Sequence, residues 1–183
     1  MMKKQILSIL VILFIFNNVI CQEDIKSKYP IDEETQLITF QEVVQEEGTK
    51  NELFNRCINW LNNFYNNPVS VTKVRDNKTG KIKGNHRFRL NYFDKNGNEL
   101  DGAMVLYSFV IELKDGRYKY TITDFLLKKA SRYPVEKWLD KSDPAYNPLW
   151  NKYLKQLADF VAEWSENLKM KMKPAPEKVE EEW

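Results

Sequence analysis

Cysteine, histidine and glycine are all scarce in this chain of 183 residues, and each scarcity removes a class of chemistry. Of the two cysteines, Cys21 ends a leader-like segment, which leaves Cys57 alone in the remainder. No intrachain disulfide can then form, so a hydrophobic core must do the stabilising that bridges do in many small exported domains. His86 is the only histidine, and no other His or Cys stands at a spacing that would hold a metal with it. The six glycines are scattered, so there is no phosphate-cradling loop and no cofactor is implied. Neither sign of charge is in excess. The 28 basic residues include Lys3 and Lys4 of the leader and stand against 26 acids, so the remainder is balanced and points to no nucleic-acid partner. No apolar run approaches the ~20 residues that cross a bilayer, which leaves no transmembrane segment once the leader is removed.

The leader itself is informative. Lys3 and Lys4 precede an apolar run from Ile6 to Phe16, which gives way to Asn17-Asn18. These are the charged, apolar and polar regions of a secretory signal peptide over residues 1–21. Val19 and Cys21 suit the −3 and −1 positions, so Gln22 is the expected new N-terminus. The alternative is a lipoprotein anchored at Cys21, but bulky Ile20 stands where a lipobox needs Gly, Ala or Ser.

Behind the leader, residues 22–34 are polar and read as a flexible lead-in. Thr35 to Gln45 reads as a strand from its β-branched and aromatic residues. Thr49 stands three residues before Glu52, a capping-box signature, and opens a helix over Thr49–Asn66 with Leu53, Phe54, Cys57, Ile58, Leu61, Phe64 and Tyr65 on one face. Asn66-Asn67-Pro68 ends it. Four strands follow, Val69–Arg75, Lys81–Phe93, Ala103–Lys114 and Arg117–Leu127, the last two joined by the hairpin signal Asp115-Gly116. Gly84 marks a possible β-bulge. After an irregular stretch, a second helix begins near Asn147-Pro148, striped by Trp150, Leu154, Leu157, Val161, Trp164 and Leu168. Residues 169–183 read as a frayed or disordered tail. The expectation is one α+β domain over 35–168: a single antiparallel sheet in the order β-α-β-β-β-β-α, with both helices on one face and the other face open.

Two segments look familiar at this point. Gly48-Thr49-Lys50-Asn51-Glu52-Leu53-Phe54, continuing as Arg56-Cys57-Ile58-Asn59-Trp60-Leu61, resembles the first-helix pattern of an exported bacterial family of unknown function with a TBP-like (TATA-binding-protein-like) fold. Lys114-Asp115-Gly116-Arg117-Tyr118, with Asp124-Phe125, resembles that family's last hairpin. The likeness covers roughly Tyr29 to Leu127. It implies a curved sheet and export by a Gram-negative bacterium, to the periplasm or cell envelope. It implies no activity and carries no catalytic residue to this chain, because fold does not carry function.

The candidate chemistry is thin. His86 shares strand parity with Phe88 and Leu90 and reads as a structural residue, and Cys57 on an apolar helix face reads as a small hydrophobe. Asp94 with Glu99, and Asp140 with Asp143, lie in loops with no fixed mutual geometry for acid–base work. One feature stands out. Lys81, Lys83, Arg87 and Arg89 alternate with apolar residues, and so do Arg117 and Lys119 on the last strand, so all project from the open side of the sheet. A solvated face guarded by charge would look the same, and a bulge at Gly84 would split the patch. The favoured reading is a non-enzymatic envelope binding module whose open face (Arg87, Arg89 and Lys119, with Lys81 and Lys83) meets an anionic glycan or another exported protein. The alternatives are an accessory protein that self-associates through the second helix, and a hydrolase using loop carboxylates.

Overall fold

Side chains that alternate along three long strands make one face of a sheet apolar and the other mixed. The computed structural model describes residues 29–174 apart from 94, 95 and 97. The expected signal peptide, the Cys21 alternative, most of the lead-in and the last part of the tail lie outside the described residues. In chain order the elements are β1 (Phe40–Gln45), α1 (Lys50–Phe64), α2 (Pro68–Val71), β2 (Thr72–Asp76), β3 (Lys81–Phe93), β4 (Glu99–Lys114), β5 (Arg117–Leu127), β6 (Tyr133–Pro134), a 3-10 turn (Val135–Leu139) and α3 (Leu149–Met172). The six strands form one sheet in the order β1-β5-β4-β3-β2, with β6 paired to β5, and every pairing is antiparallel.

Helices α1 and α3 cover one face of it. Phe88, Tyr107, Phe109 and Tyr120, which share the inward parity, meet rings of the helices, as in the stacked Phe88–Phe160 pair 4.2 Å apart. Trp60 of α1 and Trp164 of α3 cross edge to face at 4.9 Å between centroids, closing the layer over the sheet. Their polar atoms are accounted for: the Trp164 indole N–H donates to the Tyr65 hydroxyl at 2.8 Å, which lies 3.1 Å from that of Tyr107. Buried indoles and phenols need such partners; Trp164, Tyr65 and Tyr107 supply them to one another, and the Trp60 indole N–H donates to Asn167 Oδ1 at 2.9 Å.

The start of α1 is set by sequence. Thr49 Oγ1 accepts from the Glu52 N–H, and Glu52 Oε2 accepts from the Thr49 N–H at 2.7 Å, a complete capping box. The tip of the β4–β5 hairpin is pinned beside it, where Asp115 Oδ1 accepts from the Lys50 N–H at 2.6 Å. A carboxylate at a helix N-terminus is favoured by the exposed N–H groups there.

Five boundaries differ from the sequence expectation, the simplest being that β4 begins at Glu99 and not at Ala103. The segment Val69–Arg75 is not all strand, because Pro68–Val71 forms a helical turn before β2 begins. Asn67 and Pro68, which end one helix, also start another: Asn67 Oδ1 accepts from the Ser70 N–H at 3.2 Å, and Pro68 takes the first helical position. β1 begins at Phe40 and not at Thr35, because Gln36 has a φ of 59° and Asp32 holds a turn by accepting from the Thr35 N–H at 2.8 Å. That turn lets Ile31 pair with Ile38 and buries Tyr29, so residues 29–34 pack with the domain. Helix α3 runs four residues beyond Leu168, because Met172 continues its apolar stripe and is fully buried.

The expected bulge at Gly84 lies on the neighbouring strand. The β2–β3 register shifts between Thr72 and Val74, so the extra residue is Lys73. Gly84 has another role: a Cβ there would stand 2.4 Å from the Phe109 ring, so the glycine makes room for that ring. β3 therefore keeps its alternation from Lys81 to Arg89.

Candidate functional site

Because β3 and β5 keep their parity, Lys81, Lys83, Arg87, Arg89 and Lys119 all lie on the sheet face that the helices leave uncovered. Register shows what stands beside each. Lys119 faces Val43 on one side and Glu112 on the other, and Lys81 lies opposite Glu112. The Lys81 ammonium meets the Glu112 carboxylate at 3.1 Å, so part of this charge is neutralised in place. Lys83 stands between Val74 and Val110, Arg87 opposite Leu106, and Arg89 opposite Met104.

These residues do not converge. Lys119 and Arg87 are two strands apart and six register positions apart along β4. At about 4.8 Å per strand and about 3.4 Å per residue, that is roughly 22 Å. With a Debye length of about 8 Å at physiological ionic strength, they cannot act on one small anion. The face holds two basic groups, one at the β4–β5 hairpin end and one at Arg87 and Arg89. Because β2 pairs with β3 only as far as Gly84, the second group lies on an exposed strand edge.

The Arg87 end has the more developed surroundings. Arg87, Asn85, Leu106, Ser108, Asp124 and Leu126 line a hollow of about 350 Å³. A hydrogen-bonded track crosses it. Asn85 Nδ2 donates to Ser108 Oγ at 3.2 Å, Ser108 Oγ donates to Asp124 Oδ2 at 3.4 Å, and Arg132 Nη2 donates to Asp124 Oδ1 at 2.8 Å. Asp124 has a φ of 56°, in the left-handed region, and the β4–β5 register shifts beside it. This is a β-bulge, and it turns the Asp124 carboxylate onto the open face. Next to it, where β1 has left β5 and β6 has joined it, Glu136 Oε1 accepts from the Ile38 N–H at 2.8 Å. Burial holds the Glu136 carboxyl above the usual carboxylate range, and the nearby Asp124 charge adds to this.

Sequence reasoning misses Asp124, Ser108, Asn85, Arg132 and Glu136. A signal for the bulge is present: the inward residues Tyr118, Tyr120 and Ile122 are followed by Phe125 and Leu127, a three-residue step where two is regular. His86 lies at the rim of the helix-covered face, 4.9 Å from the Tyr65 ring. Partial burial, and then the Arg87 charge, hold its pKa below the ordinary value. Cys57 is fully buried and burial pushes its thiol pKa up, which makes it unreactive. Among the described residues no group of three or more His, Cys, Asp and Glu could hold a metal ion. No helix among them is long and apolar enough to cross a membrane.

Residues 40–128, the span from β1 to just past β5, match the model of a domain of unknown function with a TBP-like fold, DUF4468. This segment is similar to the DUF4468 family. The open antiparallel sheet is the one that family description implies, and both basic groups of the face fall within the matched residues. A TBP-like protein from Parabacteroides distasonis ATCC 8503 shares the fold with a TM-score of 0.66 at 17% identity, covering 81% of this chain and 99% of its own. A DUF4468 family protein from Bacteroides ovatus ATCC 8483 does so with a TM-score of 0.62 at 16% identity, covering 81% of this chain and 92% of its own. The likeness to both extends beyond residues 40–128, which are less than half of the chain, into the flanking segments. No curated protein matches the chain.

Proposed function

We propose that this protein is an exported, non-enzymatic binding module of the cell envelope, and that the hollow at Arg87 on its open sheet face receives an anionic glycan. The observation that carries the reading is the placement of Arg87 beside the Asn85–Ser108–Asp124 track, over Leu106 and Leu126. Hydroxyl, amide and carboxylate groups above an apolar floor suit a sugar, which presents hydroxyls along its edge and C–H groups across its ring. The planar fork of an arginine suits the carboxylate or phosphate of an acidic sugar. Export rests on the three-part leader at residues 1–21.

The titratable groups support binding over catalysis. Asp124 is engaged by Arg132, and Glu136 by the Ile38 N–H. Asp140 and Asp143 accept from the Ser142 and Ala145 N–H groups of their own turns. Self-association through α3 is less favoured, since Leu154, Leu157, Val161, Trp164 and Leu168 are buried within the domain, while Trp150 is half-buried and Leu149 is exposed.

Binding of acidic envelope glycans, read by calorimetry at two salt concentrations, tests the proposal. Arg87→Glu/Arg89→Glu should weaken binding by about tenfold or more, the scale of ~1.4 kcal/mol. Lys119→Glu, roughly 22 Å away, should leave it nearly unchanged. Equal binding by wild type and a folded double variant would overturn the proposal.

A further inference from the structure

At the hairpin end of the open face the acids are committed and the cations are not. A hollow of about 670 Å³ opens there, lined by Val43, Lys81, Glu112, Lys114, Arg117 and Lys119 among others. Glu112 is taken by the Lys81 ammonium at 3.1 Å. Asp76, which also lines the hollow, accepts from the Thr79 hydroxyl at 2.7 Å and from the Lys78 N–H at 2.9 Å within its own turn. Asp115 at the hairpin tip accepts from the Lys50 N–H. Among the described residues, no side-chain hydrogen bond or ion pair engages Lys114, Arg117 or Lys119.

Register gathers these three cations. Lys114 lies directly opposite Arg117, and Lys119 stands two residues along β5, opposite Glu112. At about 4.8 Å per strand and about 3.4 Å per residue, their backbones lie within roughly 8 Å of one another. That is no more than a Debye length of about 8 Å, so one anion can answer all three. Like charges directly opposite on antiparallel strands oppose the pairing. Guarding a sheet edge does not account for them, because β4 and β5 are interior strands with a neighbour on each side.

We infer that this hollow binds an organic phosphate with an apolar substituent, the phosphoryl group meeting Arg117, Lys114 and Lys119 and the substituent lying along Val43. The arginine fork donates two parallel hydrogen bonds to phosphate oxygens, and the two ammonium groups add point charges. A phosphate carries enough oxygens to serve all three cations, where a single carboxylate carries two. Val43 faces Lys119 across the β1–β5 pair and is 54% exposed, a wall that a bare phosphate would leave wet. The volume falls within the range of small-molecule sites, about 300–1,000 Å³. A phospholipid headgroup and a soluble alkyl phosphate share this chemistry. Lys119 is roughly 22 Å from Arg87, so the site stands or falls independently of glycan binding there.

Calorimetry of the full chain at low salt, with octyl phosphate as a free monomer and with inorganic phosphate, tests it. Octyl phosphate should bind about tenfold tighter or more, since burying two methylene groups already gives that factor. Arg117→Gln/Lys119→Gln should weaken octyl phosphate by about tenfold or more through the loss of charged hydrogen bonds. Should that variant melt early, Lys114→Gln on the other strand should weaken binding in the same direction. Val43→Ser should weaken octyl phosphate and leave inorganic phosphate unchanged. Arg87→Glu/Arg89→Glu should leave both unchanged, which separates a failure here from a failure of the glycan site. Co-sedimentation with phosphatidylcholine vesicles containing phosphatidic acid distinguishes the sources: binding that the Arg117/Lys119 substitutions abolish supports a lipid headgroup, and octyl phosphate binding without vesicle binding supports a soluble phosphate. No binding of octyl phosphate, equal affinity for octyl and inorganic phosphate, or equal binding by wild type and a folded cation variant would each overturn the inference.

Discussion

On β4, Tyr107, Phe109, Ile111 and Leu113 point into the helix layer, while Ser108, Val110 and Glu112, each one residue away, point to the open face. The inward set is at most 1% exposed and its polar atoms are largely matched within the layer; the outward set is partly exposed and mixes apolar, polar and charged neighbours. The same strands thus supply two surfaces under different constraints. The inward one is fixed by volume, since each ring fills space that another leaves, and interiors pack like crystals. The outward one is bounded only by register and solvent, so its residues are free to serve a partner. Changes on the inner face should therefore be costly in stability, and changes on the outer face cheap in stability but consequential for binding.

The harshest test of that contrast is Trp164→Ala. The side chain is fully buried, crosses Trp60 at 4.9 Å and donates to the Tyr65 hydroxyl. Its removal should cost about 3–5 kcal/mol in a denaturant melt. A loss under about 1 kcal/mol, small for any core truncation, would mean that the two faces are not so different.

Glycine 84 sharpens the same point within one residue. A methyl group there would enter the space of the Phe109 ring at 2.4 Å and approach the Val71 carbonyl at 2.7 Å. Gly84→Ala should destabilise by about 1–3 kcal/mol through overpacking. Lys83→Ala, the next residue but on the open face, should fall within about 0.5 kcal/mol of wild type. Thermal melts of the two variants side by side measure the difference between the faces directly.

How much of this is legible in the sequence depends on the range of the interaction. The start of α1 is readable because Thr49 and Glu52 are three residues apart and the motif needs nothing else. The β3 parity is readable because Ile82, Phe88 and Leu90 alternate with basic residues. The turn of helix at Pro68 is not, since Asn67-Pro68 suits a helix end and a helix start equally, and only the burial of Val71 under α1 decides between them. The Arg132–Asp124 pair and the Glu136–Ile38 bond depend on how β6 joins the sheet after β1 has left it, and their partners lie 8 and 98 residues apart. Local periodicity carries no information about such closures. Parity puts the basic residues on one face, but their separation into two groups depends on strand order, which parity does not contain.

A pH experiment probes the inner face without altering shape. Burial raises the Tyr65 phenol from 10.0 to about 12, and burial raises that of Tyr107 as well. A group that holds its proton more tightly when folded contributes stability that is full below its unfolded pKa. That stability is lost as pH rises through the folded value, here from about 10 to about 12 for Tyr65. Tyr65→Phe should cost about 1–3 kcal/mol at neutral pH, because the Trp164 N–H and the Tyr107 hydroxyl each lose a partner. As pH rises through that window, wild type should lose stability faster than the variant, so the two denaturation curves draw together. A gap that stays constant across the window would show that the Tyr65 phenol is not held in its neutral form by the core.

The smallest effect belongs to the Lys81–Glu112 pair on the open face. The nitrogen and oxygen are 3.1 Å apart, nearly as close as the inner-face indole and phenol, yet both side chains remain more than a third exposed. Water screens the attraction, and fixing two long side chains costs rotamer entropy, so exposed pairs contribute about 0–1 kcal/mol. A double-mutant cycle with Lys81→Met and Glu112→Gln should give a coupling in that range, shrinking further with salt. The same two substitutions also reset the charge of the hairpin-end hollow: Lys81→Met takes away a cation and Glu112→Gln releases one. A coupling of several kcal/mol would mark this corner as an extension of the core, and the division between a stabilising face and a binding face would then fail at the hairpin end.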